Sequence, residues 1–528
     1  VRARLLALLL LAAAPPAGAG DGEVRAEAVL HLRTTTLADL PSTAVLFDPA
    51  TLSFPVGGYL ATAGRERYGS AYAAVRLDGG WLDGELRWAL ALDTGELRRT
   101  RSPELAAVCA APLTSSATGL EVRGSGRCAL LSPTWIVEQT GLAPAEATAN
   151  GRALGGELRQ TLFVREASLA WTFGQAGFAT LRAGRFRQAV ADGLVHDDYA
   201  TGLDLALDLG ALGPPFELRA ALFQPTRDFP SRAEGITPLA VVRADWLPSL
   251  FEHAGLFAAA RRDRTNGVAE LFRGAFVEEA VVALSGLSPG TLEYAAASRG
   301  LARVLSGAPT SLATTLWLGS SGSITPFEHQ RASWTLALLR GRIDRISTGL
   351  ETLEDVPLHG AAAWLRWELS PVDWLSVTPW FLYLSGDRSP AERRRLSLSQ
   401  GYRGFLGVTP FVTATNLFFG GGLSESFAAR QATAPGVNGR GVVAPGLTVA
   451  IDLPAEVTVG GKAAWLAAED AGPFGGRIYG TELDLTASWA ARPWLSLGVE
   501  ADVLYPGDFF GGDATVYKTV LALDLRTP

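Results

Sequence analysis

The residues in this chain that could do chemistry are arginines and carboxylates set at strand spacing. Positions 181–188 read LRAGRFRQ, which puts Arg182, Arg185 and Arg187 within one short run, and the next alternating run, 201–209, carries Asp204 and Asp208 on its polar side. A guanidinium group is planar and permanently charged, so several in one wall would offer fixed sites for carboxylate or phosphate. The same arginines serve equally as wall residues paired with Asp204 and Asp208, and the sequence leaves both readings open. Strict alternation puts Arg182 on one face and Arg185 and Arg187 on the other, so a bulge near Gly184, or exit from the membrane, is needed for all three to face water. Further charges stand at alternate positions elsewhere: Arg219, Arg366 and, towards the C-terminal end, Glu482, Asp484, Glu500 and Asp502.

Other chemistries find little support. The five histidines lie in no recognisable nucleophile motif, so an enzyme is not expected. His196, Asp197 and Asp198 form the most suggestive polar cluster and read as a solvated loop tip. Cys109 and Cys128, both inside one long connection, read as a disulfide of an exported protein and make a poor metal site without nearby histidines. Neither a metal nor a cofactor is expected. A net charge of −7, with Arg393, Arg394 and Arg395 as the one basic cluster, argues against nucleic acid as a partner.

The elements that must carry these residues are strands. In 479–526, Leu483, Leu485, Ala487 and Trp489 share one face while Glu482, Asp484, Thr486 and Ser488 share the other. Leu495, Leu497, Val499, Ala501 and Val503 likewise oppose Ser496, Gly498, Glu500 and Asp502. That is period two. Runs of the same kind recur at 24–35, 68–78, 81–93, 157–173, 178–187, 201–209, 216–224, 238–247, 255–262, 311–319, 331–340, 361–370, 373–384, 441–453 and 456–467. With the three closing runs they predict about 18 strands, in a range of 16–20. Tight connections, such as Gly79-Gly80 and Pro371-Val372, alternate with long ones at 94–156, 263–310 and 385–440, and a moderate loop is expected over 188–200. Within the long connections, 268–287 has helical spacing, and 404–419 reads as loop structure or as an inward-folded segment.

Residues 1–19 have the basic, apolar and small-residue order of a secretory signal peptide, which leaves 20–528 as the mature chain. No later apolar run is long enough for a membrane helix, so the apolar content must cross a membrane as strands. Short turns alternating with long loops, and Trp81, Trp171, Trp246, Trp374, Trp489 and Trp494 near the short turns, match an antiparallel up-and-down barrel of an outer membrane, its periplasmic side marked by an aromatic girdle. A barrel of this width encloses an aqueous channel unless it is plugged. By parity, Glu85, Arg87, Asp204, Asp208, Glu217, Arg219, Arg366, Glu368, Glu482, Asp484, Glu500 and Asp502 face its lumen.

The LRAGRFRQ run followed by TGLDLALDL, together with the closing GTELDLT, YPGDFF and YKTVLALDL, resembles the alginate-export family of outer-membrane porins. The resemblance implies a monomeric 18-stranded barrel with an arginine-lined conduit for an acidic polysaccharide, and it supports Arg182 and Arg185 as pore candidates. The expected partners are outer-membrane lipid, the barrel-assembly machinery and a hydrophilic or anionic solute, with the outer membrane of a Gram-negative bacterium as the location. Porin-like diffusion or export of small or polymeric solutes is the functional expectation. A non-conducting, adhesin-like barrel and an outer-membrane barrel enzyme stand as alternatives.

Overall fold

In a computed structural model the chain closes into one antiparallel sheet of 18 strands. In chain order these are β1 (Val24–Ala38), β2 (Arg65–Trp81), β3 (Leu86–Asp93, resumed at Leu97–Thr100), β4 (Phe163–Phe173), β5 (Ala179–Val190), β6 (His196–Asp208), β7 (Phe216–Pro225), β8 (Leu239–Trp246) and β9 (His253–Asp263). There follow β10 (Thr310–Ile324), β11 (Gln330–Ser347), β12 (Thr352–Val372), β13 (Leu375–Leu384), β14 (Val442–Leu453), β15 (Val457–Ala467), β16 (Ile478–Arg492), β17 (Leu495–Pro506) and β18 (Val516–Arg526). Each strand pairs with its sequence neighbours, and β18 pairs with β1, Leu525 opposite Leu30, which closes the sheet. The structure describes residues 24–38, 65–82, 84–93, 97–100, 113–115, 120–122, 163–174, 177–225, 237–249, 252–264, 268, 291–294, 296, 310–347, 352–388, 390, 393, 401–408, 412–419, 421–424, 439–472, 475–509 and 515–527. The expected signal peptide and both cysteines, Cys109 and Cys128, lie outside them.

Alternation decides which way each strand faces, and here the apolar side faces out. Leu203, Leu483 and Leu485 are exposed while Asp204, Glu482 and Asp484 on the same strands are buried inside. A water-soluble sandwich would invert this arrangement. An outward apolar face on a sheet without edges suits hydrocarbon, where every backbone group must be paired within the protein. Trp81, Trp171, Trp246, Trp374, Trp489 and Trp494 stand half-exposed at the tight-turn ends of their strands, as an interfacial girdle does. Among the described residues no helix is long and apolar enough to cross a membrane.

Two local expectations change. The first reversal is not at Gly79-Gly80: β2 continues to Trp81, and the chain turns over 82–85, where Leu82 and Gly84 take positive φ. Gly79 instead lies opposite Trp88, and a Cβ there would stand 2.9 Å from the indole, so this glycine makes room for a cross-strand aromatic. The loop expected over 188–200 is mostly strand, leaving only 191–195 as the turn between β5 and β6. Of 263–310, helical backbone is described at Val268, at 292–294 and at Ala296.

Candidate pore constriction

Two elements leave the wall and fill part of the lumen. The first is the end of the β5–β6 hairpin. β5 pairs with β4 only as far as Arg185 opposite Ala167, and β6 pairs with β7 only as far as Ala200 opposite Pro225. Beyond those points the two strands pair with each other alone. Gly184 and Gly202 face each other at the departure, Gly184 with φ of 115°. A Cβ at Gly184 would run into the carbonyl of Ala167, and one at Gly202 into that of Leu222, so the neighbouring strands pass too close for any other residue. The hairpin end then lies against the inner wall. Val190, Leu194 and Val195 pack in one buried cluster with Phe223, Phe257, Trp317 and Leu339. At the tip Asp192 accepts the Thr335 hydroxyl of β11 and stands 3.8 Å from Arg366 of β12.

The second element is the segment 401–424. Tyr402 is buried and bridges to Leu358, the carbonyl of Leu406 accepts the Trp317 indole N–H at 2.8 Å, and the amide of Val408 donates to Val195 at 2.7 Å, which joins the segment to the hairpin tip. At its outer end burial raises the Asp387 carboxyl above its ordinary range, against the amides of Arg403 and Arg388 and the Arg393 guanidinium, which pull it down. Burial also pushes the Tyr402 phenol well above its usual value.

Further along, the segment is held by charged residues of the wall. Glu482 accepts the amides of Leu417 and Phe418, at 2.5 and 2.9 Å, and the Thr415 hydroxyl at 2.8 Å. Glu500 accepts the amide of Leu423, whose carbonyl accepts Arg33 Nε at 2.7 Å. Asn416 sits at the centre with all its groups engaged. Its amide N–H donates to Asp484 at 3.0 Å, its Nδ2 to Asp502 at 3.0 Å, its Oδ1 accepts Lys462 at 3.0 Å, and its carbonyl accepts Lys518 at 2.7 Å. Lys518 in turn lies 2.8 Å from Glu500 and 3.1 Å from Asp502. Glu482, Asp484, Glu500 and Asp502 thus point inward as their parity requires, but they are buried under this segment and do not meet lumenal water.

The remaining lumenal wall carries arginines. Arg76 and Arg182 both reach Glu166, at 2.6 and 2.5 Å, and Arg219 donates through Nε to Asp204 at 2.8 Å with Gln188 alongside. In these pairs the cation is the exposed partner: the side chains of Arg76, Arg182 and Arg219 are 43%, 33% and 38% exposed, those of Glu166 and Asp204 4% and 6%. Arg182 lies over the Phe186 ring and Arg366 over Trp364, contacts that fix the planes of both guanidinium groups. Arg185 and Arg187 do not join them. The register runs unbroken through Gly184, so both stay on the face opposite Arg182; Arg187 is tied by two 2.7 Å bonds to Asp197 on its own hairpin, and Arg185 donates to the Arg165 carbonyl. Asp208 caps the tight turn at Gly210, near the tryptophan end of the barrel. Arg76, Glu166, Asp192, Asn416, Lys462 and Lys518 were not among the sequence candidates. The chain's only two lysines, Lys462 and Lys518, both bond Asn416, and their rarity was the available signal.

The closed barrel with an apolar outer face and an aromatic end is a transmembrane β-barrel of the outer membrane of a Gram-negative bacterium. No protein-family model matches the sequence, nor does any curated protein. Among solved structures, the chain is similar to OccK9 (OpdG) of Pseudomonas aeruginosa, at 11% identity over 96% of this chain and 98% of that one, with a TM-score of 0.47. It is also similar to OpdQ of the same organism, at 9% identity over 96% and 98% with a TM-score of 0.46, and to OpdK, solved with vanillate, at 8% over 95% and 98% with a TM-score of 0.45.

Proposed function

We propose that this barrel is a monomeric, porin-like channel that prefers small hydrophilic anions, carboxylates above all. The observation that carries the reading is the asymmetry of the lumenal ion pairs: Arg76, Arg182 and Arg219 are presented to the lumen while Glu166 and Asp204 lie behind them. A passing carboxylate meets guanidinium groups whose own partners are already desolvated, and it can take up their remaining N–H donors. The hairpin end and the 401–424 segment narrow the bore, which favours small solutes over the acidic polymer suggested by the resemblance to alginate exporters. Insertion by the barrel-assembly machinery belongs to the same reading, and no chemical step on the solute is part of it.

Planar-bilayer recording tests it. The purified protein should conduct, with a reversal potential in a salt gradient on the anion side of zero. Replacing Arg182 and Arg219 by Gln should lower the anion-to-cation permeability ratio by about five- to sixfold per charge, since a unit charge roughly 8 Å from the permeating ion in water shifts anion and cation by about 0.5 kcal/mol each in opposite directions. Insertion without conductance would leave the structural, adhesin-like barrel as the better reading. Block by long uronate chains at concentrations where monomers have no effect would restore the polysaccharide.

A further inference from the structure

The outward face of β9–β12 changes character at one level. On β9, exposed Leu256 and Ala260 give way to Arg262; on β11, Leu336 and Leu338 give way to Arg340 and Arg342; on β12, Leu365 and the alanines above it give way to His359. The register ties these positions into one patch. Arg340 is opposite both Leu316 and His359, and Thr314 stands between Arg262 and Arg342. At about 4.8 Å per strand and 3.3 Å per residue, Arg262 and Arg340 are roughly 12 Å apart.

The height of this patch follows from the pairing. Ala254 on β9 is opposite Trp246 of the periplasmic girdle, and Arg262 lies eight residues further along the strand. With a tilt of about 40°, that places the patch about 20 Å above the girdle, against an apolar band about 25 Å tall. The cations therefore stand where acyl chains end and head groups begin in the outer leaflet. Below them the wall offers exposed Leu316, Leu318, Leu336 and Leu338.

The charge of the patch is not cancelled. Arg340 Nη1 lies 2.5 Å from His359 Nδ1, and a donor shared with an imidazole steers the guanidinium without neutralising it. Among the described residues neither Arg262 nor Arg340 has a carboxylate within ion-pair distance. Arg342 differs, being held by Asp344 at 2.9 Å and Asp355 at 3.4 Å.

We propose that this patch is a binding site for a phosphorylated acyl glycolipid of the outer leaflet, with Arg262 and Arg340 taking its phosphates and the four leucines its chains. Two separated guanidinium groups above an apolar strip match a ligand with more than one phosphate and several chains, whereas a free anion would use only the upper half.

Native mass spectrometry of the detergent-solubilised barrel tests the site, with three probes: diphosphorylated lipid A, the same lipid dephosphorylated, and inorganic pyrophosphate. The wild type should retain the diphosphorylated lipid and neither of the others. The double variant Arg262→Gln, Arg340→Gln should retain about tenfold less, with unchanged conductance because both residues face away from the lumen. Equal retention by the double variant overturns the proposal. So does equal retention of the dephosphorylated lipid, which would mean chain contacts alone, or binding of pyrophosphate as firm as that of the lipid, which would mean a soluble-anion site. If the double variant does not run as a closed, heat-modifiable barrel, Arg340→Gln alone decides: undiminished lipid retention there has the same consequence.

Discussion

Asn416 shows how much of this lumen depends on single buried contacts. Four charged side chains from four strands converge on it, and each was placed there by strand parity. Buried charges are tolerated only when paired and hydrogen-bonded, so the four carboxylates, two lysines and the backbone amides of the segment form one unit. Removing the side-chain half of the hub with Asn416→Leu leaves Lys462 and Asp502 short of a partner and should cost about 2–4 kcal/mol, read as a lower urea midpoint in lipid vesicles. The same variant should give noisier single-channel currents, since the segment loses its central tie. Lys518→Met removes the cation between Glu500 and Asp502 and should cost more, about 3–5 kcal/mol. A midpoint unchanged in both variants would mean that the network does not hold the segment.

The two inward elements are positioned by different means, and each can be tested as an element. The hairpin end reaches β11 through Asp192 and Thr335. In a background of Cys109→Ser and Cys128→Ser, the pair Asp192→Cys and Thr335→Cys should cross-link with a short bis-maleimide in native membranes, and the linked protein should keep its conductance. No cross-link, with both thiols reactive singly, would place the hairpin elsewhere. Strands were legible because period two survives where one face meets lipid: every run expected from 24–35 to the closing three is a strand of the barrel. The hairpin end was not legible, because Gly184 and Gly202 bend it out of the wall without interrupting its alternation, and the polar 196–198, expected as a solvated loop tip, instead open β6 and are buried, a difference their residue types do not reveal. The better signal lay on other strands. Phe223, Phe257, Trp317 and Leu339 occupy lumenal parity, where an open aqueous wall would be polar, so they mark the surface that something must cover. For the acidic wall, parity alone gave the face, and only the fold shows that 413–423 lies on it.

At the scale of the whole molecule, the acidic chain and the arginine-lined conduit are reconciled by what covers what. The net charge is −7, and the largest concentration of inward carboxylates is on β16 and β17. Counting Glu482, Asp484, Glu500 and Asp502 as −4 and Lys462 and Lys518 as +2, that wall carries −2 if exposed and ionised. Buried beneath the segment it contributes little to the field in the bore, whereas Arg76, Arg182 and Arg219 face the bore directly. The selectivity of the barrel should therefore depend on the segment more than on any one arginine. Replacing 404–423 by a short Gly/Ser linker, with β13 and β14 kept intact, should raise conductance and move the reversal potential from the anion side to the cation side. The shift should shrink as ionic strength rises from about 0.1 M towards 1 M, where the screening length falls from roughly 10 to 3 Å. In the same linker protein, Glu482→Gln with Glu500→Gln should restore anion preference. A linker variant that conducts more yet keeps its original selectivity would mean that the acidic wall has no part in the field of the pore, covered or not.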